Sequence, residues 1–124
     1  MAEPSPTVPV LELFKNAETR PLRAGQSLFR EGEPGGAMFV VVEGELEITI
    51  RGITMERVGP GGIVGELGIV ETSPRTASVG ATVDSRVAEV PAKRFEALVQ
   101  QAPALATLVV KVMAQRLKKM NQYL

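Results

Sequence analysis

The spacing of apolar and polar positions changes along the chain and separates a glycine-rich middle part from its two ends. Between residues 19 and 90 the apolar runs are short, and glycine interrupts them repeatedly. Residues 37–42 are almost wholly apolar, which predicts a buried strand. Leu46, Ile48 and Ile50 alternate with polar residues, a period of two that predicts a strand with one face in the core. Many short strands joined by tight turns are typical of a β-barrel or jelly-roll sandwich.

Two proline–glycine pairs predict turns inside this β-rich part. Pro34-Gly35 and Pro60-Gly61 suit the central positions of type II turns, where proline presets φ and glycine takes a positive φ. The strand pattern continues beyond them, with further apolar positions at Val79, Ala81, Val83, Val87 and Val90.

The two ends of the chain have helical spacing. Residues 10–16 predict a short amphipathic helix, and residues 1–9, with three prolines, predict a flexible leader. Residues 91–99 have helical spacing with a proline at their start. Pro103 opens a longer helix, because residues 104–124 lack glycine and proline and their apolar residues recur at steps of three and four.

Composition narrows the classes of function. The 124 residues are enough for one domain, and 14 basic residues balance 14 acidic ones. No basic excess supports direct nucleic-acid binding. The absence of cysteine and histidine removes thiolate nucleophiles, the commonest general base and most metal ligands. The sequence contains neither a secretory signal nor an apolar run of about 18 residues, so we expect a cytoplasmic protein without membrane or metal binding.

The segment with the clearest candidate ligand-binding groups spans residues 64–79. It reads Val-Gly-Glu-Leu-Gly-Ile-Val-Glu-Thr-Ser-Pro-Arg-Thr-Ala-Ser-Val. We call it the cassette. A glycine at the start of a short helix lets a ligand approach the backbone, and a helix N-terminus suits a phosphate. Arg75 supplies a planar, permanently charged fork for phosphate oxygens. Glu66 would repel a phosphate, but it can accept a hydrogen bond from a sugar hydroxyl.

The cassette resembles the phosphate-binding cassette of cyclic-nucleotide-binding domains, whose pattern runs Gly-Glu-Leu-Ala/Gly-apolar and then Pro-Arg-Ala/Ser/Thr-Ala. The similarity extends over about residues 11–117, since residues 23–32 resemble the family's opening strands and 41–46 its central hairpin. It implies an α+β, mainly β fold: an eight-stranded β-roll or jelly roll with a short N-terminal helix, a short cassette helix and two C-terminal helices. The binding domain would span residues 10–124.

Three positions depart from the family's pattern. Val64 replaces the usual aromatic residue before the cassette glycine, and Gly62 stands where an acidic residue is common. Gly68 replaces the more frequent alanine. None of the three departures removes a ligand contact that the resemblance implies.

The resemblance implies a sensor rather than an enzyme, with cAMP or cGMP as ligand and no cofactor. It assigns Arg75 to the cyclic phosphate and Glu66 to the ribose 2′-hydroxyl. The hydroxyl of Thr76 can reach the 2-amino group of guanine in some members, but bacterial-type members with this hydroxyl also bind cAMP. We therefore favour cAMP and leave cGMP open. The full set of implied ligand-binding residues is Gly65, Glu66, Leu67, Arg75, Thr76 and Ala77.

The family's last helix folds over the base as a lid whose position depends on occupancy. The residues here that could touch the purine are Arg116, Lys119, Met120 and Tyr123. A heptad seam on the same helix raises the hypothesis of a homodimer; it comprises Ala106, Val110, Met113, Leu117, Met120 and Leu124. The opposite stripe would face the barrel and comprises Leu105, Val109, Val112 and Arg116. The effector protein that would receive the signal is not identified by the sequence.

Simpler interpretations exist for each cassette residue alone. Gly65 is then a turn residue, Glu66 complements the helix dipole, and Arg75 pairs on the surface with Glu66 or Glu71. The alternative function is a β-roll that mediates protein interactions and binds no nucleotide. The joint presence of Glu66 and Arg75 argues against that alternative. A cupin-like enzyme is disfavoured because it needs histidine-rich metal ligands.

Overall fold

The structure is a computed structural model that describes residues 10–71 and 73–122. The elements are α1 (Val10–Leu13), β1 (Arg20–Leu22), β2 (Ser27–Phe29), β3 (Ala37–Glu43), β4 (Leu46–Ile50), β5 (Ile53–Val58), β6 (Ile63–Val64), α2 (Leu67–Val70), β7 (Ser78–Ala81), β8 (Ser85–Pro91), α3 (Ala92–Gln101) and α4 (Ala104–Asn121). Eight strands and four helices in the described part confirm the predicted fold class. The predicted leader, residues 1–9, lies outside the described residues.

The strands form two four-stranded antiparallel sheets. Their orders are β1-β8-β3-β6 and β2-β7-β4-β5. The longest pairing joins β3 to β8, with Val40 opposite Ala88 and Met38 opposite Val90. No helix among residues 10–71 and 73–122 is long and apolar enough to cross a membrane.

Strand β3 is buried on both faces, as its continuous apolar run predicts. Phe39 and Val41 point into the core between the two sheets. Met38 and Val40 point the other way, into a second core formed with α1, α3 and α4. Each fully buried side chain of this size contributes roughly 1.5–3 kcal/mol to folding. The second core therefore fixes the helices against the sheet that carries the cassette.

Helix α4 packs along its predicted inward stripe. Leu105 and Val109 are buried, and Arg116 points to the roll further along. Side chains of the heptad seam lie on the outer face, where Val110 is 64% and Leu117 61% exposed. Met113 differs from them, because it packs against the second core. The last seam residue, Leu124, lies outside the described residues.

One of the two predicted type II turns is wrong. Gly61 has the expected positive φ of 87°, but in the other loop the positive φ belongs to Gly36. Gly35 instead permits a close approach of two loops, because a Cβ there would lie 3.0 Å from the carbonyl oxygen of Ser73. Val83 is exposed in the turn between β7 and β8 rather than part of a strand.

Candidate functional site

The predicted ligand-binding residues line one cleft between the cassette, the β2-β7-β4-β5 sheet (the outer sheet) and α4. This ligand cleft includes Gly65, Glu66, Leu67, Arg75, Thr76 and Ala77 from the cassette and Arg116, Lys119 and Met120 from α4. Tyr123, the remaining predicted base contact, lies outside the described residues.

Two cassette glycines make room for the guanidinium of Arg75. Gly65 has a φ of 75°, and a Cβ there would lie 2.8 Å from Nη1 of Arg75 and 3.2 Å from Cε2 of Phe29. A Cβ at Gly68 would also lie 2.8 Å from that Nη1. Glycine in place of the family's more frequent alanine at position 68 thus accommodates this position of Arg75.

The Arg75 guanidinium is held by backbone carbonyls and an aromatic ring. Its Nη1 donates to the carbonyl of Gly65 at 3.2 Å, and its Nη2 donates to that of Ala37 at 2.8 Å. Its Cζ lies 4.0 Å from the centroid of the Phe29 ring. Its Nε is buried and donates to no acceptor in the part of the chain that the structure describes. This buried donor therefore has no partner among the described residues, and a group in the cleft can reach it only if the Arg75 side chain moves.

The positive charge of Arg75 forms no ion pair within the described ranges, although three glutamates lie near enough to affect its pKa. Burial lowers the pKa of Arg75, and the negative charges of Glu66, Glu89 and Glu33 act against that lowering. The pKa of arginine lies so far above neutrality that the side chain stays charged. No carboxylate of residues 10–71 and 73–122 lies within 4.0 Å of its nitrogen atoms, so the surface pair with Glu66 or Glu71 is not formed.

Glu66 is a buried carboxylate, only 6% exposed. It directly precedes α2 and has helical backbone angles, but its side chain caps no N–H group of that helix. Its Oε1 instead accepts a hydrogen bond from Nη1 of Arg116 at 2.5 Å. The hydrogen bonds of the described residues leave its Oε2 without a donor.

Arg116 joins α4 to three parts of the roll. Besides Glu66, its Nε and Nη2 donate to the two carboxylate oxygens of Glu56 at 3.0 and 3.3 Å, and Nη2 also donates to the carbonyl of Ile63 at 2.7 Å. Burial alone would lower the pKa of Arg116, but the hydrogen bonds and charges of Glu56 and Glu66 raise it above its ordinary value. Arg116, one of four predicted candidates for a purine contact and a member of the stripe predicted to face the barrel, thus binds carboxylates of the roll. Glu56 was not among the predicted site residues.

The rest of the cleft is mostly apolar. Its lining is contributed by Phe29, Ile48, Ile50, Met55 and Val79 from the roll and Met120 from the helix. Thr76 and Lys119 add polar groups at exposed positions. No group of three or more histidine, cysteine, aspartate or glutamate residues within the described ranges is placed to hold a metal ion. The cleft can therefore hold an anion at Arg75, a hydroxyl at Glu66 and a flat apolar ring between roll and helix.

Comparison with known proteins places the chain in a family. The model of the cyclic nucleotide-binding domain matches residues 19–102. The chain is 37% identical over 92 residues to the cGMP-dependent protein kinase egl-4 of Caenorhabditis briggsae, covering 74% of this chain and 12% of the kinase. It is 26% identical over 120 residues to the CRP-like cAMP-activated global transcriptional regulator of Mycobacterium tuberculosis, covering 93% of this chain and 54% of the regulator.

A solved structure is similar to this chain in both sequence and fold. It comes from work on a cyclic-GMP-dependent signalling pathway of bacterial phytopathogenesis and is 32% identical to this chain. The TM-score is 0.74, with 90% of this chain and 93% of the other covered. The alignments cover only 12% of the kinase and about half of the regulator, so this chain corresponds to part of each. The chain belongs to the cyclic nucleotide-binding domain family.

Proposed function

We propose that the chain is a sensor domain that binds cAMP or cGMP in the ligand cleft and performs no catalysis. The observation that carries the proposal is the buried Nε of Arg75, a cationic donor with no acceptor among the described residues. Leaving such a donor unpaired is costly, and a phosphate oxygen would pair with it by a charge-assisted hydrogen bond once the side chain turns its Nε–H toward the cleft. The neighbouring glycines, Gly65 and Gly68, leave room for Nη1 of the same guanidinium.

The ribose is proposed to bind at Glu66. A carboxylate oxygen accepts more than one hydrogen bond, and Oε2 of Glu66 is not used by Arg116. A carboxylate would repel the phosphate, so its place beside Arg75 suits a ligand that carries both an anion and a hydroxyl. A cyclic nucleotide carries both groups on one sugar.

The base is proposed to lie on the apolar lining, covered by Met120 from α4. Thr76 and Lys119 provide polar contacts at its edge, and Tyr123 stays a prediction. The names of the relatives point to both ligands, since one kinase is cGMP-dependent and one regulator is cAMP-activated. Similarity alone therefore does not choose between the two bases.

The signal is proposed to be a change in the position of α4. Arg116 on this helix and the ribose hydroxyl would share the carboxylate of Glu66. A ligand that alters this hydrogen bond changes the relative free energy of helix positions, which shifts their populations. An effector protein would then recognise one of these positions.

A homodimer through α4 is a further part of the proposal. Val110 and Leu117, one heptad apart, form an exposed apolar stripe that does not line the ligand cleft. Exposed stripes of this kind on a helix often mark a protein interface. Light scattering that returns the mass of two chains, lost in Leu117→Glu, would support the dimer. A monomer mass at high concentration would exclude it.

Calorimetric titration with cAMP and cGMP tests the function, with 5′-AMP and 5′-GMP as controls. We expect a Kd in the micromolar range or below for at least one cyclic nucleotide and much weaker binding of the linear nucleotides. Absence of binding by both cyclic nucleotides would favour the alternative function, a β-roll that mediates protein interactions.

A further inference from the structure

Phe29 lies at the end of β2 and is not among the ligand-binding residues that the resemblance implies. Its ring is nearly buried, yet it lines the ligand cleft. The Cζ of Arg75 lies 4.0 Å from the centroid of this ring. This distance is well inside the range of about 6 Å over which a guanidinium is attracted to an aromatic face.

The ring of Phe29 contacts the cassette at a second point. It would lie 3.2 Å from a Cβ at Gly65, so the ring packs against both the cassette glycine and the arginine. Phe39 lies behind it, with the two ring centroids 6.1 Å apart. Phe39 is 5.9 Å from the Cζ of Arg75 and therefore contributes less to holding the guanidinium.

The loop that follows Phe29 also fixes the backbone of Arg75. The N–H of Arg75 donates to the carbonyl of Glu33 at 2.8 Å, and the N–H of Gly32 donates to the carbonyl of Arg75 at 2.9 Å. One short segment, residues 29–33, thus holds both the main chain and the side chain of this residue. The flat face of the guanidinium is taken by the ring, while its Nη1 and Nη2 donate to the carbonyls of Gly65 and Ala37.

We propose that Phe29 is a positioning residue that stacks on Arg75 and holds its guanidinium in the ligand cleft, where the phosphate of the ligand would bind. This proposal rests on the proposed function. An arginine that is already oriented loses less rotational freedom when the ligand binds, which increases affinity. Leucine at position 29 would fill most of the core volume but would offer no aromatic face.

A measurement without ligand tests the stacking itself. A proton above an aromatic ring is shifted upfield, so we expect the Arg75 Nε–H signal in NMR spectra to lie upfield of exposed arginines. Its assignment is checked by its disappearance in Arg75→Lys. In Phe29→Leu the signal should move back toward the exposed value. An Arg75 signal that does not move in Phe29→Leu would overturn the proposal.

A double-mutant cycle tests the consequence for binding. Phe29→Leu should weaken binding of the preferred cyclic nucleotide about 3- to 30-fold. In the Arg75→Lys background the same change should have little effect, because no planar guanidinium remains to stack. Leu46→Val is the control, since Leu46 is buried in the same core but does not line the cleft. It should lower stability without changing affinity.

The outcomes separate the two proposals. An equal loss of affinity in both Arg75 backgrounds would mean that Phe29 acts only through the core, and the positioning role would be wrong. If the wild type binds neither cyclic nucleotide, the proposed function fails. The NMR signal of Arg75 then still decides whether Phe29 holds the guanidinium.

Discussion

Arg116 of α4 donates a hydrogen bond to the carboxylate of Glu66, 50 residues earlier in the chain. The same guanidinium is bound by both oxygens of Glu56 on β5. One side chain therefore attaches the C-terminal helix to the cassette and to the outer sheet. Under the proposed function, a ribose hydroxyl bound at Glu66 would share this carboxylate with Arg116, which would couple ligand binding to the helix.

Removing this link should loosen the end of α4. In Arg116→Gln the carboxylates of Glu56 and Glu66 lose their shared cation, and we expect a loss of about 1–3 kcal/mol in stability. Hydrogen exchange at the backbone of residues 113–121 should become faster. Lys119→Gln is the matched control, because Lys119 lies on the same turn and forms no ion pair within the described ranges. Equal exchange rates in both variants would contradict the link.

Arg75→Ala should remove the main partner of the phosphate. We expect a loss of about 2–4 kcal/mol in binding free energy, which is the magnitude for one partner of a buried charge pair. Arg75→Lys should lose less, because it keeps the charge without the fork. Arg57→Ala serves as the control, since Arg57 pairs with Glu47 on the exposed surface. Calorimetry that finds wild-type affinity in Arg75→Ala would contradict the assignment of the cassette.

Glu66→Ala tests the ribose contact. We expect about 1.5–3 kcal/mol weaker binding, typical of a hydrogen bond to a charged group. The 2′-deoxy form of the same cyclic nucleotide should bind the wild type more weakly, but it should bind Glu66→Ala as well as the parent nucleotide does. A variant that still discriminates between these two nucleotides would show that the hydroxyl is bound elsewhere.

Thr76→Ala tests which group reads the base. If the hydroxyl contacts the 2-amino group of guanine, the variant should weaken cGMP binding by about 0.5–1.5 kcal/mol and leave cAMP binding unchanged. The ratio of the two dissociation constants is the measurement, because a general loss of folding affects both nucleotides alike. An unchanged ratio would mean that Thr76 does not discriminate.

A pair of glycine substitutions tests the fold independently of the ligand. Gly44 and Gly52 both have positive φ, of 89° and 79°. A Cβ at Gly44 would also overlap Oγ of Ser85 and lie 2.6 Å from the carbonyl of Asp84, whereas one at Gly52 meets nothing within 4 Å. Gly52→Ala should cost about 1 kcal/mol of stability and Gly44→Ala about 2–4 kcal/mol. Equal urea midpoints for the two variants would contradict this packing.

The spacing of apolar residues predicted most of the fold because it reflects burial directly. Strand β3 reads as a continuous apolar run since both of its faces are covered, and β4 alternates since only one face is. The turn at Pro34-Gly35 could not be predicted, because the glycine at position 35 leaves room for the carbonyl of Ser73 from a loop distant in sequence. Dipeptide statistics carry no information about such a contact.

The candidate site was predicted only in part. The cassette is contiguous, so its spacing places Glu66 and Arg75 in one motif. Glu56 was missed because it looks like an ordinary polar residue of an edge strand, and its role depends on where α4 places Arg116. Phe29 was missed because an aromatic residue in a strand is typical of a core, and nothing in the sequence places it beside Arg75.

The most direct test of the central claim is NMR titration of the labelled protein with the cyclic nucleotide that binds best. If the ligand binds in the ligand cleft, the backbone signals of Gly65, Glu66, Thr76 and Ala77 should shift together with those around Arg116. Simultaneous changes in these two segments would place the ligand between cassette and helix. Binding that shifts signals elsewhere and leaves both segments unchanged would contradict the account.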